Sequence, residues 1–116
     1  MLYMIWAWAA ALLAEPFTSN LFIPKGQVFL LGEYHDGAGY GVSIDNVGRW
    51  PVLAQISERT TGNVLTTARI DRDAHLELNI PADAVVSLEN LGKRRAHLTV
   101  VLEDGFVQGM RYIDRE

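Results

Sequence analysis

The chain of 116 residues contains no cysteine. This absence excludes disulfide bonds, cysteine-based zinc sites, thiol nucleophiles and a lipid-modified N-terminal cysteine. Positive charge is also scarce, since ten Lys and Arg residues stand against fourteen Asp and Glu residues and the net charge is −4. Nucleic-acid binding requires clustered cations, so we expect no nucleic-acid partner. The one basic run, Lys93–Arg95, is expected at a solvated hairpin tip.

The sequence also lacks the short motifs that accompany catalysis. No Gly-x-Ser-x-Gly nucleophile elbow and no His-x-His or His-x3-His pair occurs. The paired carboxylates stand in polar turns, where nothing indicates a perturbed environment for a general acid. We therefore expect no enzyme, no cofactor and no dedicated metal site. The alternative is a metal-binding protein or enzyme that uses the three histidines of the chain, His35, His75 and His97.

The first fourteen residues contain no charged side chain, and the first charge is Glu15. An apolar run of this length that ends in small residues and a proline is typical of a secretory signal, although no Lys or Arg precedes it. The run is too short to cross a bilayer as a helix, which takes about 20 apolar residues. We expect residues 1–14 to form a cleaved signal peptide, with an uncleaved membrane anchor or a packed segment as alternatives. The folded domain is then residues 15–116, in the periplasm or outside the cell.

One segment occurs twice, 44 residues apart: Val42–Arg49 reappears as Val86–Lys93, with each position identical or closely related. In both copies an apolar alternation leads into an Asn-x-Gly turn and then into a second alternation, so the pattern predicts a β-hairpin built twice. The glycines Gly48 and Gly92 are expected at positive φ in matching turns. The alternation also predicts that His97 points away from the core.

Period-two alternation, interrupted by turn residues every eight to twelve positions, continues through the remainder of the chain, and no stretch after residue 17 has helical spacing. This pattern predicts a small antiparallel β-sandwich, Ig-like or jelly-roll-like, with about eight strands and an internal pseudo-two-fold repeat. The expected strands are Gln27–Leu31, Tyr40–Asp45, Trp50–Glu58, Val64–Ile70, His75–Ile80, Val85–Glu89, Arg95–Leu102 and Phe106–Ile113.

The most unusual local composition is residues 32–41, which contain four glycines beside aromatic and acidic side chains. Such a loop is either a plain connection or a recognition loop whose aromatic rings face a partner. The binding residues that we predict here are Glu33, Tyr34, His35, Asp36 and Tyr40. Calcium ligation by Glu33, Asp36 and Asp45 is a further alternative, although these carboxylates lack the spacing of a dedicated calcium loop.

Trp50 and His97 complete the set of predicted binding residues. Trp50 lies between a turn and Pro51, at the rim expected for the sandwich, and its counterpart in the second copy is Arg94. Trp50 either caps the core or forms, with Tyr34 and Tyr40, a platform on which a sugar ring stacks.

These features predict an exported, non-enzymatic module that binds a protein partner or a component of the cell envelope through its surface. A carbohydrate-binding module that uses Trp50, Tyr34 and Tyr40 is the alternative of a different class. Contact with a membrane is expected only through residues 1–14 if they stay uncleaved. Self-association through an exposed sheet edge also stays open.

Overall fold

The computed structural model describes residues 17–32, 38–102 and 110–114. These residues form nine β-strands and no helix, so the described residues contain no helix that could cross a membrane. The expectations for residues 1–14 concern a segment outside the described residues. The strands are β1 (Phe17–Ile23), β2 (Gln27–Leu31), β3 (Tyr40–Asn46), β4 (Val52–Glu58), β5 (Val64–Ile70), β6 (His75–Ile80), β7 (Ala84–Asn90), β8 (Ala96–Leu102) and β9 (Met110–Asp114).

The strands form two antiparallel sheets. The four-stranded sheet has the order β1-β8-β3-β6, and the five-stranded sheet has the order β5-β4-β7-β2-β9. Each sheet alternates strands from the two halves of the chain, which is the strand order of a jelly roll with one additional strand, β9, beside β2. The structure thereby confirms the all-β sandwich and selects the jelly roll over the Ig-like alternative.

Most of the predicted strands agree with the structure. Gln27–Leu31, Val64–Ile70 and His75–Ile80 have the expected bounds, and four others differ by one or two residues at one end or at both. The prediction for the last strand began at Phe106, and β9 begins at Met110 after a segment that lies outside the described residues. The strand β1 was not expected.

The core lies between the sheets and is filled by the alternate side chains of each strand. In β8, for example, Ala96, Leu98, Val100 and Leu102 are buried, whereas the residues between them are half-exposed. Among the described residues, the buried side chains are apolar apart from two asparagines, Asn46 and Asn90. Polar chemistry in the described part of the chain therefore lies mainly on the outer faces and at the ends of the sandwich.

The internal repeat covers more of the fold than the similar sequences indicate. Exchanging each of the first four strands with the strand four places later in the chain (β1 with β5, β2 with β6, β3 with β7, β4 with β8) converts the strand order of one sheet into that of the other. Only β9 has no counterpart among the described strands. The registers agree as well, because Ile23 pairs with Ala96 as Ile70 pairs with Val52. The pseudo-two-fold relation thus exchanges the two sheets.

The turns after β1 and β5 follow the same relation without sequence similarity. The amide of Gln27 donates to the carbonyl of Pro24 at 3.1 Å, and the amide of Ala74 donates to the carbonyl of Asp71 at 2.9 Å. The residue before each of these donors has positive φ, with Gly26 at 76° and Asp73 at 64°. Glycine and aspartate are among the residues that tolerate this conformation.

Asn46 and Asn90 hold equivalent positions at the ends of β3 and β7. The side-chain amide of Asn46 donates to the carbonyls of Trp50 and Ile70 at 2.8 and 3.0 Å, and its oxygen accepts from the amide of Gly48 at 3.1 Å. Asn90 makes the corresponding bonds to the carbonyls of Arg94 and Ile23 and to the amide of Gly92, at 2.7, 2.9 and 2.8 Å. Each asparagine therefore closes its own turn and ties it to the end of an edge strand.

The two turn glycines are required for a different reason from the one expected. Neither Gly48 nor Gly92 is among the residues with positive φ. A Cβ at Gly48 would lie 3.0 Å from the backbone nitrogen of His97, and a Cβ at Gly92 would lie 2.5 Å from Cγ of Trp50. The prediction of positive φ is thus wrong, and the need for glycine comes from the close approach of a neighbouring segment.

Candidate binding face

One row of polar side chains crosses all four strands on the outer face of the four-stranded sheet. Asn20 of β1 pairs with Thr99 of β8, Thr99 pairs with Asp45 of β3, and Asp45 pairs with His75 of β6. The residues on either side of each position face the core, as Leu98 and Val100 do around Thr99. Because directly opposed residues share a face of a sheet, the four side chains form a continuous row.

An aromatic cluster lies at the β1–β8 side of this row. The rings of Phe22 and His97 stack with their centroids 4.3 Å apart, and the guanidinium carbon of Arg95 lies 4.6 Å from the centroid of Phe22. Phe22 is 38% exposed, although phenylalanine is among the residue types most often fully buried. The oxygen Oδ1 of Asn20 lies 3.2 Å from Nε2 of His97 and 3.4 Å from the hydroxyl of Thr99. We call Asn20, Phe22, Arg95, His97 and Thr99 the aromatic cluster.

A second group of side chains lies at the β3–β6 side of the same row. Nδ1 of His75 is 2.7 Å from a carboxylate oxygen of Asp45, and its Nε2 is 3.5 Å from a carboxylate oxygen of Glu77. The hydrogen bond to Asp45, and after it the one to Glu77, raises the pKa of His75 above its ordinary value. The imidazolium form therefore suits this position, because it donates from both ring nitrogens.

Four residues of the predicted recognition loop, Glu33, Tyr34, His35 and Asp36, lie outside the described residues. The fifth, Tyr40, is a core residue with only 6% of its surface exposed. Burial raises the pKa of its hydroxyl to about 12, with a smaller opposing effect from Arg59. The expectation that Tyr40 presents a ring to a partner is therefore corrected. Its hydroxyl occupies the space where a Cβ on Gly32, which has φ of 83°, would lie.

Trp50 is half-buried and packs against Gly92, which agrees with a residue that caps the core. It lies at the end of the sandwich where β3 finishes, whereas Tyr40 begins the same strand at the opposite end. A strand of seven residues is about 20 Å long. Trp50 and Tyr40 therefore belong to different ends of the molecule, and the proposed stacking platform that joined them is wrong.

His97 lies on the outer face, as expected, but it does not share a site with His75. The two residues are on strands β8 and β6, which are separated by β3, so their backbones are about 10 Å apart. One metal ion holds its nitrogen ligands within about 2.1 Å of itself. The described residues contain no group of three side chains that could hold a metal ion, and the remaining member of the predicted set, His35, lies outside them.

Sequence reasoning missed Asn20, Phe22 and Thr99. The alternation of Phe17–Ile23 places Asn20 and Phe22 on the face opposite Leu21 and Ile23. The sequence would have indicated this outward position of Asn20 and Phe22 if the segment had been assigned as a strand. The pairing of β1 with β8, which brings Phe22 onto His97, joins segments more than 70 residues apart and has no local signal.

No protein-family model and no curated protein sequence matches the chain. Solved structures do resemble it in fold. RmlC from Streptococcus suis in complex with dTDP-D-xylose has a TM-score of 0.59 and 12% identity, over 86% of this chain and 50% of that one. An oxalate oxidase in complex with the substrate analogue glycolate has a TM-score of 0.53 and 15% identity, over 83% of this chain and 45% of that one. The Yersinia pseudotuberculosis-derived mitogen has a TM-score of 0.52 and 13% identity, over 78% of this chain and 86% of that one.

At these identities the comparisons show the fold alone, and they agree with the jelly-roll strand order. The chain spans half the length of RmlC and less than half of the oxalate oxidase. The neighbours include an oxidase and a mitogen, so the shared fold decides neither for nor against catalysis.

Proposed function

We propose that this chain is an exported, non-enzymatic jelly-roll module that binds a protein partner or a component of the cell envelope through the outer face of its four-stranded sheet. The observation that carries the proposal is the aromatic cluster. It combines an exposed phenylalanine, a stacked histidine and a guanidinium group on a sheet surface. Aromatic and arginine side chains are enriched in the cores of protein interfaces and among the residues that dominate their binding free energy.

The contacts within the aromatic cluster support this proposal further. Phe22 is held between neighbours by stacking, and His97 is held by Asn20 and Thr99 through hydrogen bonds. Side chains that are already ordered lose little rotamer entropy when a partner binds. The basic turn residues Lys93 and Arg94 are exposed immediately before Arg95 and add positive charge beside the aromatic cluster. A partner with acidic groups therefore fits this part of the face best.

The non-enzymatic part of the proposal rests on where the polar groups lie. The side chains that fill the space between the described strands are apolar, and the two buried asparagines are used in turns. The titratable cluster of Asp45, His75 and Glu77 is on the exposed outer face, where water surrounds it. Export is proposed from the uncharged apolar residues 1–14.

Carbohydrate binding is the second candidate function. The sugar would bind to this same face rather than to Trp50 and Tyr40. The row of Asn20, Thr99, Asp45 and His75 offers amide, hydroxyl, carboxylate and imidazole groups at successive strand spacings of about 4.8 Å. Such groups bind sugar hydroxyls when an apolar ring lies beside them. Phe22 supplies that ring at the β1 side of the row.

The test is co-sedimentation of the purified protein with a washed cell-envelope preparation, with three proteins compared. We expect the wild type to sediment with the envelope, and the Phe22→Ser variant to lose at least about 1 kcal/mol of binding, about a fivefold change, because an aromatic anchor is removed. The matched control is Leu65→Ser, which removes an apolar side chain of 47% exposure from the other sheet and should bind as the wild type does. Equal binding by the two variants would contradict the proposed face.

A glycan array then separates the two candidates. Retention on neutral glycans that Phe22→Ser abolishes would support carbohydrate binding, whereas envelope binding without retention on any glycan would support a protein or acidic component. The intact mass of the protein from fractionated cells tests export: we expect a chain shortened by about 11–14 residues outside the cytoplasm. A full-length chain in the cytosol would overturn the localisation.

A further inference from the structure

The pseudo-two-fold relation is incomplete at one edge. The five-stranded sheet has a strand, β9, at a position where the four-stranded sheet has no described strand. In the five-stranded sheet, β9 pairs with the free side of β2. The strand equivalent to β2 is β6, which pairs with β3 on one side and ends the four-stranded sheet. No described strand lies beside β6 at the position equivalent to that of β9.

The backbone of β6 points the corresponding groups outward. The amide of Asn46 donates to the carbonyl of Ala74 at 3.0 Å, so the carbonyl of Ala74 points toward β3. Groups alternate along a strand, and His75, Glu77 and Asn79 therefore direct their amides and carbonyls away from β3. His75 and Glu77 are equivalent to Val28 and Leu30, which pair with β9 in the other sheet.

The edge of β6 lacks several of the features that usually prevent strand pairing, namely a bulge, a lysine and a proline within the strand. The register of β6 with β3 runs without interruption from Asp45–His75 to Tyr40–Ile80, so there is no bulge within it. The strand contains no Lys and no Pro, and Pro81 follows its last residue. Edges protected against association commonly have such features. His75 and Glu77 are the charged or ionisable side chains of this edge, and both are exposed on the outer face.

We propose that β6 pairs antiparallel with β6 of a second copy of this chain, with His75 of each copy opposite Glu77 of the other. The two-fold axis then passes between the Leu76 residues of the two copies. His75 and Glu77 form hydrogen-bonded pairs in this register, and their side chains lie together on the outer face. The two four-stranded sheets become one continuous sheet, and the dimer is closed because each edge is used once.

Charge complementarity selects this register among those that pair the outward backbone groups. Moving the axis by one residue toward the end of β6 places Glu77 opposite Glu77, and moving it the other way places His75 opposite His75. Like charges that are directly opposed destabilise a strand pair. An axis at Leu78 places His75 opposite Pro81, which has no amide to donate. Among these registers, only the one with the axis at Leu76 places a histidine opposite a glutamate, and it does so twice.

The existing contacts of His75 are compatible with this pairing. Asp45 holds Nδ1 at 2.7 Å and so sets the orientation of the ring, whereas the contact of Nε2 with Glu77 of the same strand is 3.5 Å. That longer contact is weak as a hydrogen bond. A carboxylate directly opposite on the second strand would give Nε2 a second acceptor.

A charge exchange at the two positions tests the register. We expect sedimentation equilibrium of the full chain to show a monomer–dimer equilibrium, with dimerisation weakened by about tenfold or more in His75→Glu and in Glu77→Lys, because each places like charges opposite one another. The double variant opposes Glu and Lys again and should recover dimerisation. Val101→Lys, which adds the same charge to the same face on β8, two strands away from β6, is the control and should dimerise as the wild type does.

A single cysteine provides an independent test, because the chain has none. Leu76 opposite Leu76 is a non-hydrogen-bonded pair, whose Cα atoms are about 4.5 Å apart, within the range of a disulfide. Leu76→Cys should therefore oxidise to a covalent dimer, whereas Leu78→Cys, which faces Ala74 of the second copy, should stay monomeric under the same conditions. A monomer at all concentrations, association that ignores the charge variants, or equal cross-linking of the two cysteine variants would overturn the proposal.

Discussion

Trp50 packs directly over Gly92, so that the first half of the internal repeat covers the turn of the second. A Cβ built on Gly92 would lie 2.5 Å from Cγ and 2.6 Å from Cδ2 of the indole. The equivalent glycine, Gly48, is approached by the backbone of His97, with its nearest atom at 3.0 Å. The two turns thus share the hydrogen bonds of their asparagine side chains but have different neighbours, and they should respond differently to the same substitution.

We expect Gly92→Ala to lower the free energy of unfolding by about 1–3 kcal/mol, because the methyl group forces the indole to move. Gly48→Ala should cost less, since its contacts are 3.0–3.3 Å long and a small shift relieves them. Urea unfolding of both variants measures the difference. In a double-mutant cycle, Trp50→Gly, which removes the Cβ together with the indole, should remove most of the cost of Gly92→Ala. Additive effects of the two substitutions would show that the indole is not the obstacle.

The asparagines Asn46 and Asn90 should contribute equally to stability, although they lie in different sheets. Each donates to two backbone carbonyls and accepts from one amide, with distances of 2.7–3.1 Å. Replacement by alanine leaves buried carbonyls without a donor, so each variant should lose about 2–4 kcal/mol of unfolding free energy. Asn79→Ala, at an exposed position of β6, is the control and should lose less than about 0.5 kcal/mol. A large loss in one variant alone would break the proposed equivalence.

The strands on either side of each Asn-x-Gly turn were predictable because their sequences repeat visibly. The expected β-hairpins are wrong, however, since β3 and β4, like β7 and β8, lie in different sheets and each turn connects the two sheets. Strand β1 was not predictable in this way, since the relation of Phe17–Ile23 to Val64–Ile70 lies in register and turn geometry rather than in side chains. The roles of Asn46 and Asn90 were hidden for a related reason. Their residue type indicated a turn, but only the packing of the sheets shows that they reach Ile70 and Ile23.

The candidate site was less accessible to sequence reasoning than the fold. Glycine and aromatic composition directed attention to residues 33–40, of which Tyr40 is buried. The aromatic cluster instead depends on the pairing of β1 with β8, which brings Asn20 and Phe22 beside Thr99 and His97. Long-range strand pairing is set by the whole sandwich, so alternation in one strand predicts which face a residue takes but not which residues it meets there.

His75 should make the stability of the fold depend on pH. Its pKa is raised in the folded state, chiefly by Asp45. The stabilisation is therefore fully present below the pKa of the unfolded chain, about 6.5, and is lost as the pH rises through the folded pKa. Asp45→Asn removes the main cause, so we expect it to reduce the unfolding free energy more near pH 5 than near pH 8.

The measurement is urea unfolding at several pH values, together with an NMR titration of the His75 ring. The ring should titrate at lower pH in Asp45→Asn than in the wild type. Ser43→Ala, on the same strand and face, is the control and should leave both readouts unchanged. A pH-independent effect of Asp45→Asn would show that Asp45 acts on stability without the charge of His75.

Tyr40 should give the fold a separate weakness at alkaline pH. Burial raises the pKa of its hydroxyl from 10.0 to about 12. The folded chain therefore keeps a proton that the unfolded chain releases, and stability falls as the pH rises from about 10 to about 12. Tyr40→Phe has no proton to lose there, so its unfolding free energy should fall less steeply over this range. The difference in phenolate absorbance between wild type and variant gives the pKa of Tyr40 directly. We expect a midpoint near 12 in the folded protein and near 10 in urea, and a midpoint near 10 in both would place the hydroxyl in contact with water.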